Sequence, residues 1–199
     1  MTAPARRTQA ERREGTMTAV VDAAVEVLGE VGYARATTAE IARRAGVSQG
    51  GLFRHFGARL DVMLAAADRI RSRQLVDFSE GLGSLDGTDL TEVVHRLRRA
   101  TRAPINAAWY ELVLAARADA ELRAVLEPLA ERYHGEILAL GRALPIAERL
   151  APVELDTIVL SIVHLLDGEA LMASLLPHPE HEDVRVEQLV RILSGRPLY

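Results

Sequence analysis

The sequence predicts an all-α fold. Apolar residues recur at three- and four-residue steps through most of its length, and no segment alternates apolar with polar side chains as a half-buried strand would. Capping residues and glycine or proline stops punctuate that pattern. The chain has 199 residues, enough for one medium or two small domains, and its 49% hydrophobic and 26% charged composition is that of a globular protein.

Taken in order, residues 1–15 hold Arg6, Arg7, Arg12 and Arg13 and read as a basic disordered arm. Between Thr18 and Val31, an apolar stripe of Val20, Ala24, Val27, Leu28 and Val31 faces inward. Asp22, Glu26 and Glu30 lie opposite it, and Gly32 stops the helix. Thr37 caps a second helix, where Glu40 completes a T-x-x-E capping box. Ile41, Ala42 and Ala45 form its inner face and Gly46 ends it. Val47 alone then precedes a new cap at Ser48, from which a third helix runs from Gln49 to about Phe56. Two short helices across a tight glycine turn are the signature of a helix-turn-helix unit, assigned to residues 16–60. Further helical patterns cover 59–80, 89–102, 105–117, 121–144, 152–176 and 183–194, so residues 61–199 read as a helical bundle. Pro128 should kink or split the helix that contains it.

Composition removes several functions. The chain has no cysteine, hence no disulfide framework, thiol nucleophile or cysteine-held metal. No phosphate-binding loop, G-x-S-x-G elbow or H-E-x-x-H pattern occurs, which gives an enzyme no positive support and calls for no cofactor. His178, Glu180, His181, Glu182 and Asp183 crowd one inter-helix segment and read as a solvated loop, not a metal site. His134 and His164 read as interior or boundary histidines. The N-terminus lacks the apolar run of a secretory signal, and charged residues interrupt the apolar stretch from Leu155 to Leu176, so the expected location is the cytoplasm, with no membrane contact.

Charge is uneven. All 24 basic residues are arginine. Residues 1–59 carry nine arginines against six carboxylates, while the remainder carries fifteen against twenty-two. A basic front and an acidic back fit a chain whose front end meets an anionic polymer. The segment SQGGLFRHFG, Ser48 to Gly57, has the makeup of a recognition helix. Ser48 and the helix start offer a phosphate site, and Gln49 has the geometry to pair with adenine. Gly50 and Gly51 each cost about 1 kcal/mol of helix propensity, which makes sense if the backbone must approach a groove closely. Leu52 and Phe56 point inward, leaving Phe53, Arg54 and His55 outside.

These residues resemble a known family. The stretch from Val20 to Met63, with Gly32-Tyr33, Thr37, Glu40-Ile41-Ala42, Ala45-Gly46-Val47-Ser48, Gly50, Leu52, His55-Phe56 and Gly57, is similar to the DNA-binding domain of TetR-type transcriptional regulators. The resemblance implies a homodimer that binds a palindromic double-stranded DNA operator, most often as a repressor, and is released by a small-molecule effector. It also implies that Thr37 and Ser48 cap helices and touch phosphates, that Gln49, Gly51 and Arg54 contact bases or nearby backbone, and that His55 meets a phosphate. Arg59, in place of the usual lysine, grips the DNA backbone, and Thr38 and Arg44 reach the other flank. Gln49, Gly51 and Phe53 replace the residues common there, which points to a changed operator sequence. Two readings outside the family remain beside this one: a sequence-tolerant architectural DNA-binding protein and an all-α enzyme.

In the back half, Met63, Ile70, Trp109, Tyr110, Leu112, Leu114, Tyr133 and Ile162 are candidates to line an effector pocket. The helix from Pro152 to Leu176 is apolar on two faces and so should be buried on two sides. Its row of Leu155, Ile158, Ile162, Leu165, Met172 and Leu176, with Val186, Leu189, Val190 and Leu193 of the last helix, is expected to form the dimer interface.

Overall fold

Thr8 sets the first helix. In the computed structural model, which describes residues 8–83 and 89–193, its hydroxyl accepts the Glu11 N–H at 3.2 Å while the Glu11 carboxylate accepts the Thr8 N–H at 2.7 Å. This capping box opens α1 (Gln9–Val31), so residues 9–15, expected as a disordered arm, are helical and carry Arg12 and Arg13 on the helix. The Thr8–Glu11 box is a start signal that the reading of the arm passed over. Arg6 and Arg7 lie outside the described residues.

Gly32 ends α1 at φ 78° and leads into a 3-10 turn, Tyr33–Arg35. Thr37 then caps α2 (Thr38–Arg44) by accepting the Glu40 N–H at 3.2 Å. The expected capping box is only half built, because the Glu40 carboxylate holds Arg43 at 2.6 and 2.9 Å instead. Gly46, at φ 68°, closes α2. Its N–H reaches the Arg43 carbonyl and the Val47 N–H reaches that of Ala42, the paired bonds of a Schellman turn. Ser48 caps α3 (Gln49–Phe53), which is shorter than expected. The N–H groups of His55 and Phe56 both donate to the Leu52 carbonyl, and the helix does not continue.

Six helices follow: α4 (Arg59–Gly83), α5 (Leu90–Thr101), α6 (Ile105–Ala116), α7 (Ala120–Arg142), α8 (Pro152–Ala173) and α9 (Pro179–Leu193), with a 3-10 turn at Pro145–Arg149. Among the described residues there is no strand. Pro128 does not split α7: both it and Ala124, whose carbonyl loses its partner, are exposed, so water can serve the freed group. Pro179 occupies the first position of α9, where a missing N–H is harmless, and the helix therefore starts earlier than expected.

The described chain forms two compact units, one up to Ile70 together with Ala107–Glu127, the other Arg71–Asn106 together with the residues from Pro128 onward. This cuts the chain differently from the expected division at residue 60. In the first unit, the α1 stripe of Val20, Val27 and Leu28 is fully buried with Ile41 of α2, Leu52 of α3, Met63 of α4, Leu112 of α6 and Leu122 of α7. In the second, Val94, Ile162, Leu166 and Val186 form a buried cluster, flanked by Leu90, Leu97, Ile158, Leu189 and Val190.

The second unit is also bound by charge. Arg98 of α5 pairs with Glu182 and lies 3.4 Å from Asp183, both on α9. Arg102 reaches Glu169 of α8 at 3.0 Å and Glu182 at 2.9 Å. Glu182 and Asp183 are thus ion-pair partners, in contrast to the solvated loop expected of them. Where α7 meets α8, a Cβ added at Gly141 would sit 2.6 Å from Val159 Cγ2. Gly141→Ala should accordingly destabilise the unit by about 1–3 kcal/mol, read from a denaturant midpoint, because the clash is with a β-branched side chain rather than a flexible end.

His134 of α7 lies half-buried against the His164 ring, centroids 5.7 Å apart. Burial, reinforced by His164, holds its pKa below the usual 6.5. The unfolded chain therefore takes up this proton at a higher pH than the folded one, so stability should fall as pH drops below 6.5 through the lower folded value. Thermal melts of wild type and His134→Gln across that window should diverge, with the variant losing less on acidification.

Candidate nucleic-acid interface

The turn between α2 and α3 presents one outward surface. Ser48, Gln49 and Gly50 are exposed, and Phe53 leaves 45% of its surface open although it is aromatic. Ser48 Oγ accepts the Gly51 N–H at 3.0 Å, which still leaves its hydroxyl proton to donate outward. Thr37 has the same double capacity at the start of α2. Gln49 Nε2 donates to Thr38 Oγ1 at 3.1 Å, so the two side chains expected on opposite flanks are one hydrogen-bonded pair, with the amide held on the outer side of α3.

The two glycines differ. A Cβ at Gly50 would meet no atom within 4 Å, so the protein's own packing does not require a glycine there. At Gly51 a Cβ would stand 3.2 Å from Ser48 Oγ, and the smaller residue leaves room for the cap. Leu52 is fully buried and Phe56 nearly so, as their spacing predicts. Arg54 is exposed. His55 departs from expectation: it is half-buried, and its enclosed Nδ1 has no hydrogen-bond partner among the described residues.

Both flanking arginines expected on phosphates are engaged within the unit. Arg44 takes Glu30 of α1 at 2.6 and 2.9 Å and Glu26 at 3.4 Å, which holds Glu30 below the ordinary carboxylate range. Glu26 and Glu30, one turn apart opposite the apolar stripe, were the sequence signal for this clamp. Arg59 donates to the carbonyls of Tyr33 at 2.6 Å and Ala36 at 3.1 Å, and its guanidinium carbon lies 4.1 Å from the centre of the Tyr33 ring. Tyr33 is held in turn: its hydroxyl donates to Asp119 at 3.0 Å and its N–H to Glu111 at 3.3 Å. Burial and the Asp119 bond raise the Tyr33 pKa, while bonds from the Leu122 N–H and Tyr33 lower that of Asp119. No motif pointed to Tyr33, Glu111 or Asp119 as a cluster, because 78 and 86 residues separate the partners.

The candidates for an effector pocket scatter. Met63, Ile70 and Leu112 are fully buried in the first unit as core, Trp109 and Tyr110 are half-buried on α6, and Leu114 is exposed. Tyr133 is buried in the second unit, where burial pushes its phenol well up. Only Ile162 lines the apolar cavity of about 70 Å³ in that unit. The expected dimer row is split as well. Leu155, Ile162 and Val186 are buried inside the second unit, and Ile158, Leu189 and Val190 pack against its core, because one face of α8, which also carries Leu166, is turned to its own bundle. Leu165, Met172 and Leu176 are each about half exposed and remain open on α8 and just after it. The Leu193 side chain lies outside the described residues.

Residues 20–66 match the family described as bacterial regulatory proteins, tetR family. Over 191 residues the chain is 38% identical to an uncharacterised HTH-type transcriptional regulator of Mycobacterium tuberculosis, covering 95% of this chain and 98% of that one. It is 45% identical over 62 residues to the HTH-type transcriptional regulator CymR of Pseudomonas putida, 31% of this chain and 30% of CymR. Among solved structures, multidrug binding protein EbrR complexed with imidazole aligns at TM-score 0.68 and 25% identity, over 92% of this chain and 96% of that one. A TetR-family transcriptional regulator from Rhodococcus sp. aligns at TM-score 0.68 and 20% identity, over 90% and 97%.

The Arg59 contacts predict a stability role. Arg59→Ala leaves the Ala36 carbonyl without its donor, takes one of two donors from the Tyr33 carbonyl and strips a cation from the Tyr33 ring, so unfolding of the first unit should become easier by about 1–3 kcal/mol, read from denaturant midpoints.

Proposed function

The chain belongs to the TetR family of HTH-type transcriptional regulators, and from that premise we propose a cytoplasmic repressor that binds a palindromic operator as a homodimer and lets go when a small effector binds. The observation that carries the reading is the α3 surface, where an exposed glutamine tethered by Thr38 stands beside an exposed Phe53 and a Gly50 with open space around it. Nothing inside the protein calls for that combination, whereas a major groove does. The amide pairs with a base edge, the bare backbone at Gly50 allows close approach, and Phe53 packs on a sugar or a thymine methyl. Ser48, Thr37 and Arg54 contribute phosphate contacts. Arg44 and Arg59 act behind this surface by holding α2 and α4 in place.

Leu165 and Met172 of α8, with Leu176 just after it, support the dimer part of the reading, since such exposed apolar residues are a liability for a lone chain. A two-fold symmetric dimer that presents its two α3 helices to successive major grooves reads a palindrome. Effector release follows from linkage: a ligand shifts the equilibrium only by as much as it prefers the form that does not fit the operator. The relative EbrR is a multidrug binding protein, which is consistent with a ligand site in the helical region.

Binding of labelled duplexes from the chain's own upstream DNA tests the assignment of Gln49. Gln49→Ala should weaken the preferred operator by about tenfold or more, the worth of a bidentate base contact, and leave random duplex unchanged. Equal losses on both would show that the side chain does not read sequence.

A further inference from the structure

Protein interiors leave few voids larger than a water molecule, and a buried water needs two to four polar partners. The slot of about 70 Å³ in the second unit has room for water but offers it no polar side chain. It is walled by α4, α5, α7 and α8 and by Leu144 and Leu150, which flank the 3-10 turn. Fourteen residues line it, and none has a charged or hydrogen-bonding side chain. Simple closure of the helices cannot remove it. At Gly141 a single methyl would collide with the Val159 side chain, so α7 and α8 are already packed together at this point while the space persists.

We propose that this slot is a binding site for a small uncharged hydrocarbon. Its role as the effector site rests on the ligand-responsive reading above. Lining chemistry fixes the class. A guest with an amine, carboxylate or hydroxyl inside the slot would lose its water and find no partner, whereas an alkyl or aryl group gives up only unfavourable hydration. Size fixes the scale. The space is about half that of a dry apolar cavity known to take up benzene, so it seats a short branched alkyl group as it stands and a single ring once its walls yield. The segment between Leu144 and Leu150 is the part of the wall that is not α-helix, and it is the part that yields.

The test uses the full chain with labelled isoleucine methyl groups, titrated with toluene and, separately, with phenol, which has nearly the same shape and one hydroxyl more. Saturable shifts at Ile137, Ile158 and Ile162, with phenol at least about tenfold weaker, support the site. Absence of saturable shifts at these methyls, or phenol binding as well as toluene, overturns it. Ile137→Phe fills the slot, and a folded variant should lose the toluene shifts; wild-type toluene affinity in that variant also overturns the proposal. If Ile137→Phe does not fold, Leu140→Phe on the half-buried side of the same wall gives the same readout. Operator affinity measured alongside separates the two levels. Toluene binding that leaves operator affinity unchanged upholds the slot and removes the effector role, and failure to bind any operator without toluene counts against the repressor reading alone.

Discussion

The placement of the recognition surface depends on one guanidinium. Arg59 stands at the first residue of α4, lies against the Tyr33 ring, and satisfies two backbone carbonyls of the turn that links α1 to α2. A partly buried cation in this position is tolerable because two carbonyls and a ring face partner it, and that requirement fixes the geometry of what it touches. Tyr33 passes the constraint on to Asp119 and Glu111. On the other side Arg44 joins α2 to α1 through two glutamates. Between these anchors α2 and the Schellman turn at Gly46 have little freedom, and α3 is presented at a fixed angle with only five helical residues of its own.

How far the sequence could be read depended on the range of the forces involved. Local signals were legible: the apolar stripe of α1, the caps at Thr37 and Ser48, the Gly46 turn and the inward pair Leu52 and Phe56 all follow from residues within a few positions of one another. The family resemblance over Val20 to Met63 rested on those residues, and the outward position of Gln49 and Phe53 followed with them. Arg44 and Arg59 were expected on phosphates because a cation near a recognition helix meets DNA by default, yet each has an anionic or carbonyl partner that is close in space. In a lysine-free chain arginine is the residue available both for surface contacts and for internal ties, and sequence alone does not separate the two.

The back half was legible in its helices but not in what they face. A helix apolar on two sides was predicted for α8, and so it is, with the division falling around it: Leu166 is buried in the core while its neighbour Leu165 is exposed. Leu155 and Ile162 belong to the unit's own core; Leu165 and Met172 look out. Periodicity reports that a residue is apolar and which stripe it shares, not which neighbour covers it. Likewise Glu182 looked like one acid among several in a loop, although Arg98 of α5 and Arg102 at its end both bind it and share Glu169 of α8.

Leu112 and Leu122 are wholly enclosed beside α1 and α4 residues of the first unit, and the partners of Tyr33 come from the same stretch. The reading head is therefore not a detachable N-terminal module. Excising it at the end of the family match would open a hole where two leucines sat and leave the Tyr33 N–H and hydroxyl without their acceptors. Any swap of heads between relatives has to carry the segment from Ala107 to Glu127 along with it, or repair its inner face in the recipient.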